Sequence, residues 1–221
     1  MSQKYELFGI PINWGPHLMF QIRSLSSFSI HGHNVCPGDL GGYVDSEHVL
    51  SQEGRSWIRL YCMVIGSRIE DDSLISAYYG NGTQIESIVR SSIVKGSSLI
   101  VGSKILDKTT VVDSHCVKSM LQFVPIVKTD GIIFDSVIKQ NVEISGNPSI
   151  SGSEIRGRDP YNPIRIFGDA RIVDCHITGS PWVFGDQVLR GQTIDDSDRY
   201  PGTNRLIRDS RPGIIKMKPR K

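Results

Sequence analysis

Aliphatic residues recur in this sequence at a step of six, and this step constrains the fold more than any other feature. The first series is Ile93, Leu99, Ile105, Val111 and Val117. A second series begins one residue later, at Val94. An amphipathic helix would place apolar residues three or four apart, and a half-buried strand would alternate in twos. A step of six instead indicates a short strand with one inward aliphatic side chain, followed by a tight bend.

The repeat predicts an all-β fold, a single-stranded parallel β-helix in which three strands close one triangular coil. At about 18 residues per coil, residues 58–192 supply roughly seven coils, and we expect the first aliphatic series to point inward. The step fades through residues 119–131 and then returns in a new phase at Ile132. Hexapeptide coils are usually left-handed, an exception to the right-handed crossover preference. A β-sandwich fits less well, because its strands alternate without a fixed step of six.

The formal net charge of +2 conceals two parts of opposite charge. Residues 199–221 contain eight bases and one acid, so they carry +7 and the remaining chain carries −5. A basic segment of this kind contacts nucleic acid, an acidic partner or its own acidic body. We assign residues 193–221 as a C-terminal tail and expect a protein contact, because the bases lack the interleaved aromatics that stack on single strands. Its candidate binding residues are Arg205, Arg208, Arg211, Lys216 and Lys218.

The cysteines and the hydropathy pattern exclude several classes of protein. The four cysteines are scattered and form no CxxC pair, which indicates neither a disulfide framework nor a zinc ribbon. We expect Cys116 and Cys175 to fill small inward positions, and we predict no metal site, because His31 and His33 fit a surface loop better. No apolar run reaches the ~18 residues of a membrane span and no secretory signal is visible, so we expect no membrane partner and a cytoplasmic location.

Residues 1–57 precede the repeats and predict N-terminal strands that cap the open end of the coil. They contain the run Gly38–Val44, with sequence GDLGGYV, and the run Leu50–Ile58, with sequence LSQEGRSWI. Glycines in both runs permit sharp backbone paths. Tyr43 and Trp57 are wide enough to cover the end of a three-sided prism.

This block resembles the N-terminal segment of the YdcK-type hexapeptide-repeat proteins and of related phage and prophage proteins. They share a GDLGG(W/Y)…LSxxGxxW arrangement ahead of repeats of the GDARV kind. The matching residues here run from Ile22 to Ile58, and one good repeat copy follows at 167–172. The resemblance implies a left-handed β-helix, and it implies acyl transfer from acyl-CoA as one possible activity. This chain departs from the pattern in its two irregular insertions and its basic tail.

Two histidines are candidates for the general base of an acyltransferase. His115 follows Asp113 by two residues, and His176 follows Asp174 by two, so that a carboxylate contact across a turn would orient each imidazole. The same pattern is also ordinary at the corners of a β-helix.

Irregular segments between the repeats are candidate binding loops. The stretch Met120–Val127 is too apolar and too long for one strand of the wall, which predicts a loop folded across the coil or a subunit contact. Two further segments predict exposed loops. Their candidate binding residues are Tyr78, Tyr79, Arg156, Arg158 and Tyr161.

Three classes of function follow from these features. We favour a non-catalytic interaction protein without a cofactor, phage- or prophage-encoded, that acts in the host cytoplasm as an inhibitor or adaptor by binding a host protein such as a defence complex. The first alternative is a hexapeptide-repeat acyltransferase that binds acyl-CoA at a site between subunits. The second is a nucleic-acid-associated protein that acts through its basic tail. The exposed prism faces favour a homodimer or a homotrimer.

Overall fold

The structure is a computed structural model that describes residues 3–80, 83–96, 98–107, 109–122, 126–129, 131–158 and 161–195. These residues form thirty β-strands, and no α-helix occurs among them. Within this part of the chain, no helix is long and apolar enough to cross a membrane. The all-β prediction is therefore confirmed for the described residues.

The strands are short after the N-terminal region. The N-terminal strands are β1 (Tyr5–Trp14), β2 (His17–Ser24), β3 (Phe28–Ile30), β4 (His33–Val35) and β5 (Leu40–Val44). The following strands are β6 (Trp57–Ile58), β7 (Met63–Ile65), β8 (Arg68–Ile69), β9 (Leu74–Ser76), β10 (Tyr78–Gly80), β11 (Thr83–Ile85), β12 (Ile88–Arg90), β13 (Ile93–Lys95), β14 (Leu99–Val101), β15 (Lys104–Leu106), β16 (Thr110–Val112) and β17 (His115–Val117). The last strands are β18 (Met120–Gln122), β19 (Ile126–Thr129), β20 (Ile132–Phe134), β21 (Val137–Lys139), β22 (Val142–Gly146), β23 (Ser149–Ser151), β24 (Glu154–Gly157), β25 (Ile164–Gly168), β26 (Arg171–Val173), β27 (His176–Gly179), β28 (Trp182–Val183), β29 (Val188–Arg190) and β30 (Thr193–Asp195).

From β7 onward the chain visits three parallel sheets in turn, the arrangement of a β-helix. The first sheet has the order β1-β2-β5-β7-β12-β15-β18-β21-β24-β27-β30. The second sheet has the order β8-β13-β16-β19-β22-β25-β28, and the third has β6-β9-β14-β17-β20-β23-β26-β29. The seven strands of the second sheet correspond to the predicted seven coils. A hairpin of β10 and β11 interrupts the first complete coil.

The coils in the middle of the chain are slightly shorter than predicted, whereas paired strands lie 25 residues apart across the β10–β11 hairpin and 22 apart across the β24–β25 connection. Leu99 pairs with His115 and Ile93 pairs with Thr110, displacements of 16 and 17 residues. The reason lies at corners where one residue with positive φ precedes a buried hydroxyl residue, as Asp113 precedes Ser114. Such a corner turns the chain in two residues, so the next inward residue follows after five positions instead of six.

The shorter step changes which aliphatic residues form the core. The fully buried series is Val94, Ile100, Ile105, Val111 and Cys116. The prediction was correct for Ile105 and Val111, but it was wrong for Ile93, Leu99 and Val117. Ile93 is 39% exposed, because alternate side chains of a strand point to opposite faces and Val94 occupies the inward position.

The described residues of the apolar stretch Met120–Val127 lie in strands of the coil, in β18 and β19, which corrects the prediction of a loop for these residues. Residues 123–125 lie outside the described residues. Strands β18 and β19 pair in register with the coils on both sides of them. Leu121 and Val127 are fully buried and continue the inward series. The stretch looked irregular because it breaks the strict step of six, which the coil does not require.

Buried serines connect successive coils at the corner that leads into the first sheet. The backbone N–H of Ser119 donates to Oγ of Ser103 at 3.0 Å, and the N–H of Ser153 donates to Oγ of Ser136 at 3.1 Å. The N–H of Cys175 donates to Oγ of Ser153 at 3.0 Å. Each hydroxyl therefore satisfies a backbone donor of the next coil. We call this column the serine ladder.

The N-terminal end of the coil is covered by Lys4 and the antiparallel strands β1 and β2. The Tyr5 hydroxyl lies within hydrogen-bond distance of the carbonyl oxygens of Glu47 and Leu50, at 2.7 and 2.8 Å. The Lys4 Nζ donates to the carbonyl oxygen and to Oγ of Ser56, both at 3.1 Å. Desolvation on burial lowers the pKa of Lys4 to about 8.

Trp57 and Tyr43 do not cap this end, which corrects the prediction made from their size. Ile58 pairs with Ile75 inside the coil, so strand alternation directs Trp57 to the outer surface of the third sheet. Trp57 is nevertheless buried, because the ring of Phe28 packs edge-on against it at 5.8 Å between centroids. The same alternation directs Tyr43 outward, since its neighbour Val44 is the buried residue.

Gly42 is needed because there is no space for a side chain at this position, and not because of its backbone conformation. A Cβ atom on Gly42 would lie 2.6 Å from the carbonyl oxygen of Cys62. No L-amino acid with a side chain fits so close to backbone, so the GDLGGY run allows β5 to lie directly against the first coil.

Candidate binding site

A pocket lies where the N-terminal region meets the first coil. Its characteristic side chains are His33, Leu40, Arg59, Leu60, Tyr61 and Tyr79, and we call it the junction pocket. Its volume of about 290 Å³ lies below the roughly 300–1,000 Å³ of sites that enclose a whole small-molecule ligand. The pocket is therefore of a size to take one or a few side chains of a partner.

Large apolar side chains around this pocket are unusually exposed. The exposed fractions of Tyr61 and Tyr79 are 52% and 57%, and those of Leu40 and Leu60 are 40% and 42%. Tyr and Arg are the residue types that most often carry the binding energy of protein interfaces. An aromatic and aliphatic rim around an arginine is thus typical of a binding surface.

Arg59 supplies the positive charge of the junction pocket. Its guanidinium donates to Oγ of Ser76 at 3.2 Å, and no ion pair of Arg59 occurs within the described part of the chain. Burial, together with the nearby Arg59 charge, lowers the pKa of His33 against an opposing contribution from Asp39. The pocket lining therefore holds one guanidinium that has no ion pair among the described residues, together with the carboxylate of Asp39.

The coil geometry turns Tyr61 outward. Tyr61 has a φ of +64° and precedes Cys62 at the same kind of corner at which Lys118, with φ +52°, precedes Ser119. Gly, Asn and Asp adopt this left-handed conformation at the lowest cost, and a bulky residue there is strained by about 1–3 kcal/mol. An aromatic residue at this corner lowers stability and places its ring at the pocket rim.

The structure pairs His176 with the carboxylate of Glu154 and not with that of Asp174, the partner that the sequence predicts. Nδ1 of His176 lies 3.3 Å from Oε2 of Glu154, its neighbour on the preceding coil of the first sheet. Asp174 instead has its carboxylate against Gly152 of the preceding coil. The spacing in the sequence predicted the wrong partner, because stacking of the coils places Glu154, 22 residues away, closer to His176 than Asp174, which is two residues away across a corner.

His115 has a histidine neighbour. Its ring meets the ring of His31 edge-on, with 6.0 Å between the centroids. The carboxylate of Asp113 lies against Gly96 of the preceding coil. His31 occupies the turn between β3 and β4, and one of its ring nitrogens lies 3.0 Å from the carbonyl oxygen of Asp72.

The other predicted binding residues do not converge on one site. Tyr79 lines the junction pocket, whereas Tyr78 lies beneath the Lys118 ammonium at 5.4 Å from its ring centroid. Arg156 pairs with Glu154, and Arg158 lies 3.6 Å from Asp195. Tyr161 is 91% exposed in the connection between β24 and β25.

Tail residues Arg205, Arg208, Arg211, Lys216 and Lys218 lie outside the described residues. Within the part of the chain that is described, no three His, Cys, Asp or Glu side chains cluster as metal ligands would.

Sequence reasoning missed Arg59 and Tyr61. The sequence did contain an indication of this surface. Leu60 and Tyr61 are large apolar residues that precede Val64 and do not belong to the inward series. Large apolar residues at outward positions of a coil are candidates for a contact surface.

The chain matches no protein-family model, and no curated protein matches it significantly in sequence. The resemblance to hexapeptide-repeat proteins therefore depends on the residues quoted above, from Ile22 to Ile58.

Proposed function

We propose that this chain is a non-catalytic interaction protein of the left-handed β-helix class that binds a protein partner at the junction pocket. The observation that carries the proposal is the combination of two exposed tyrosines, Tyr61 and Tyr79, with the guanidinium of Arg59, which has no ion pair among the residues that the structure describes. This composition suits a partner segment that offers an apolar anchor side chain beside a carboxylate.

The backbone strain at Tyr61 also supports a role in binding. A glycine or an aspartate at this corner would be more favourable for folding, as it is at Gly102 and Asp135 of later coils. Strained residues of this kind cluster at ligand-binding surfaces. The rigid parallel sheets beneath the pocket hold its rim in place, which lowers the entropy lost on binding.

The class assignment and the biological setting extend the same proposal. Three short strands per coil, each in its own sheet, are what the resemblance to left-handed hexapeptide-repeat proteins implies, and this supports the class assignment. The GDLGGY motif and its resemblance to phage and prophage proteins support a partner from the bacterial host. The chain would then act as an inhibitor or an adaptor of a host complex.

A capture experiment with matched variants tests the proposal. Tagged protein is incubated with bacterial lysate, and bound proteins are quantified for the wild type, Arg59→Ala and the double variant Tyr61→Ser/Tyr79→Ser. We expect a defined protein to be retained by the wild type and lost from both pocket variants. Tyr161→Ser, which removes an exposed tyrosine elsewhere, should retain it. A captured set that does not change in the pocket variants would contradict the proposal.

A second candidate function, acyl transfer at a site between subunits, is favoured by one observation. The contact of His176 with Glu154 orients an imidazole as a general base requires. Acyl-CoA turnover that is lost in His176→Ala and retained in His115→Ala would support it. Failure of acetyl-CoA to bind the wild type at about millimolar concentration would remove it.

A further inference from the structure

The N-terminal hairpin extends beyond the sheet that it joins. Strand β2 pairs with β5 through Phe20, Gln21 and Arg23, and Phe20 lies opposite Val44 at the end of β5. Because the two strands are antiparallel, the residues that precede Phe20 run past the end of β5. Strand β1 is the edge of the first sheet and pairs with β2. The outer part of the hairpin, residues 9–18, therefore projects from the sheet, and we call it the N-terminal arm.

The N-terminal arm is apolar and uncharged. It contains no Asp, Glu, Lys or Arg, and none of its residues is buried. The exposed fractions of Ile10, Ile12 and Leu18 are 91%, 42% and 48%. Leu18 pairs with Asn13, the neighbour of Ile12, so Leu18 and Ile12 lie on opposite faces of the hairpin. A protruding segment that exposes aliphatic side chains on both faces indicates a contact with another protein.

This contact is made by side chains, because the free edge of β1 is protected against addition of a strand. At its start, the N–H of Tyr5 donates to Oε1 of Gln52 at 3.3 Å, and Nε2 of Gln52 donates to the Tyr5 carbonyl oxygen at 3.1 Å. Further along, the register shifts between Phe8 and Ile12, and Pro11 inside this bulge has no N–H to donate. Bulges and prolines are devices that prevent edge pairing.

A groove with a volume of about 470 Å³ lies at the base of the N-terminal arm. It is lined by Ser46, His48, Val49, Gly66, Ser67 and Arg68, and we call it the corner groove. The Asp45 carboxylate, which directly follows β5, accepts a hydrogen bond from the N–H of Gly66 at 2.9 Å. The corner groove therefore begins where the arm leaves the sheet.

The polar groups of the corner groove are largely satisfied within the chain. The Ser67 hydroxyl donates to the carbonyl oxygen of Ile65 at 2.8 Å. The Arg68 guanidinium is paired with the carboxylate of Glu70 at 2.6 Å. An apolar segment can thus cover this surface without leaving either group unpaired.

A second copy of this chain suits both the arm and the groove. Because the two surfaces are adjacent in one molecule, a single two-fold axis beside them places each arm in the groove of the other copy. The arm carries no charge and Arg68 already has its partner, so the contact buries no unpaired charge.

The size of this contact predicts a dimer that dissociates on dilution. An arm roughly 17 Å long and 10 Å wide offers roughly 170 Å² on each face. Two arms that bury both faces and cover a similar area of the other copy remove roughly 1,000–1,400 Å² from water. This area lies near the lower limit of about 1,200 Å² for standard specific interfaces.

We propose that two copies of this chain form an isologous homodimer in which the N-terminal arm of each lies in the corner groove of the other. The interface is separate from the junction pocket, which contains Leu40, because Leu40 and Val44 lie at opposite ends of β5. The dimer therefore carries two junction pockets, and its formation does not require a partner at either of them.

Sedimentation velocity of the full chain from about 1 to about 200 µM tests the proposal. We expect the wild type to change from monomer to dimer across this range. The arm variant Ile10→Ser/Leu18→Ser and the groove variant Ser46→Arg should each raise the dimer dissociation constant by at least about tenfold. The matched control Ile132→Ser/Val188→Ser, which removes two exposed aliphatic side chains from the third sheet, should leave it unchanged. Thermal unfolding at the lowest concentration verifies that every variant is folded.

A mixture of the arm variant and the groove variant tests the exchange itself. Each mixed dimer keeps one intact contact, between the wild-type arm of one copy and the wild-type groove of the other. We expect mixing to restore a dimer at a concentration at which neither variant forms one alone. Absence of this restoration overturns the placement of the arm in the groove.

Two further outcomes would overturn the proposal. A wild type that stays monomeric at about 200 µM does so, and this measurement needs no variant to fold. A dimer that is lost in the third-sheet control but kept in the arm variant does so in favour of a contact between the faces of two prisms.

Discussion

The backbone N–H of Ser119 donates to Oγ of Ser103 across one coil, at 3.0 Å, and both serines are buried. The Ser103 hydroxyl in turn lies 3.0 Å from the carbonyl oxygens of Val101 and Cys116. Replacing Ser103 with Ala leaves the buried N–H of Ser119 without this acceptor. We expect Ser103→Ala to lower the free energy of unfolding by about 1–3 kcal/mol in urea titrations. Ser149→Ala, at an exposed strand position, serves as the control and should change it little.

The register of the coil predicts opposite outcomes for two isoleucines. Ile105 is fully buried, whereas Ile93 is 39% exposed on the outer surface. Ile105→Asp would bury an unpaired charge and should lower the free energy of unfolding by several kcal/mol. Ile93→Asp should change it by no more than about 0.5 kcal/mol. Equal losses for the two variants in thermal and urea unfolding would contradict the inward series.

Lys4 should make stability depend on pH in the alkaline range. Burial lowers its pKa from 10.5 to about 8, so the unfolded chain binds more protons than the native state between these values. The contribution of Lys4 to the free energy of unfolding therefore rises as the pH increases from about 8 to about 10, and the full desolvation cost is present below pH 8.

The comparison of Lys4→Met with the wild type isolates this effect. Burial raises the pKa of Tyr5 and of the Cys62 and Cys116 thiols, each to about 12, so these groups lower stability as the pH rises. We expect the stability of the wild type relative to Lys4→Met to increase across the window. The control is Lys95→Met, at an exposed position. The stability of the wild type relative to this variant should not increase across the window. A pH-independent difference between the wild type and Lys4→Met would show that the Lys4 ammonium is not desolvated.

Thiol reactivity should distinguish one cysteine from the other three. Cys36 is exposed, whereas Cys62, Cys116 and Cys175 are buried, and burial raises the pKa of each buried thiol. Because the thiolate is the reactive form, we expect one fast-reacting thiol with Ellman's reagent near neutral pH and four after denaturation. Cys36→Ser should remove the fast phase. A second fast thiol in the native protein would indicate opening of the coil near a buried cysteine.

The junction pocket could not be predicted from the sequence, although one of its members was singled out. Tyr79 was a candidate because it lies in a predicted turn. His33, Arg59 and Tyr61 join it only because the β3–β4 hairpin and the β10–β11 hairpin meet the first coil. Such meetings depend on the direction in which each hairpin leaves the sheet, which local composition does not specify.

The sequence by itself determined that the chain forms a coil of short parallel strands, because a repeating step is a local property that survives in every coil. It did not determine which residue of an aliphatic doublet points inward. Ile93 and Val94 are equally apolar, and the choice between them was decided by the length of the corner, where Ser91 with φ +49° and the buried Ser92 turn the chain in two residues. Only the tertiary structure decided the partners of His176 and Trp182, since stacking brings together residues a full coil apart through backbone pairing between neighbouring strands.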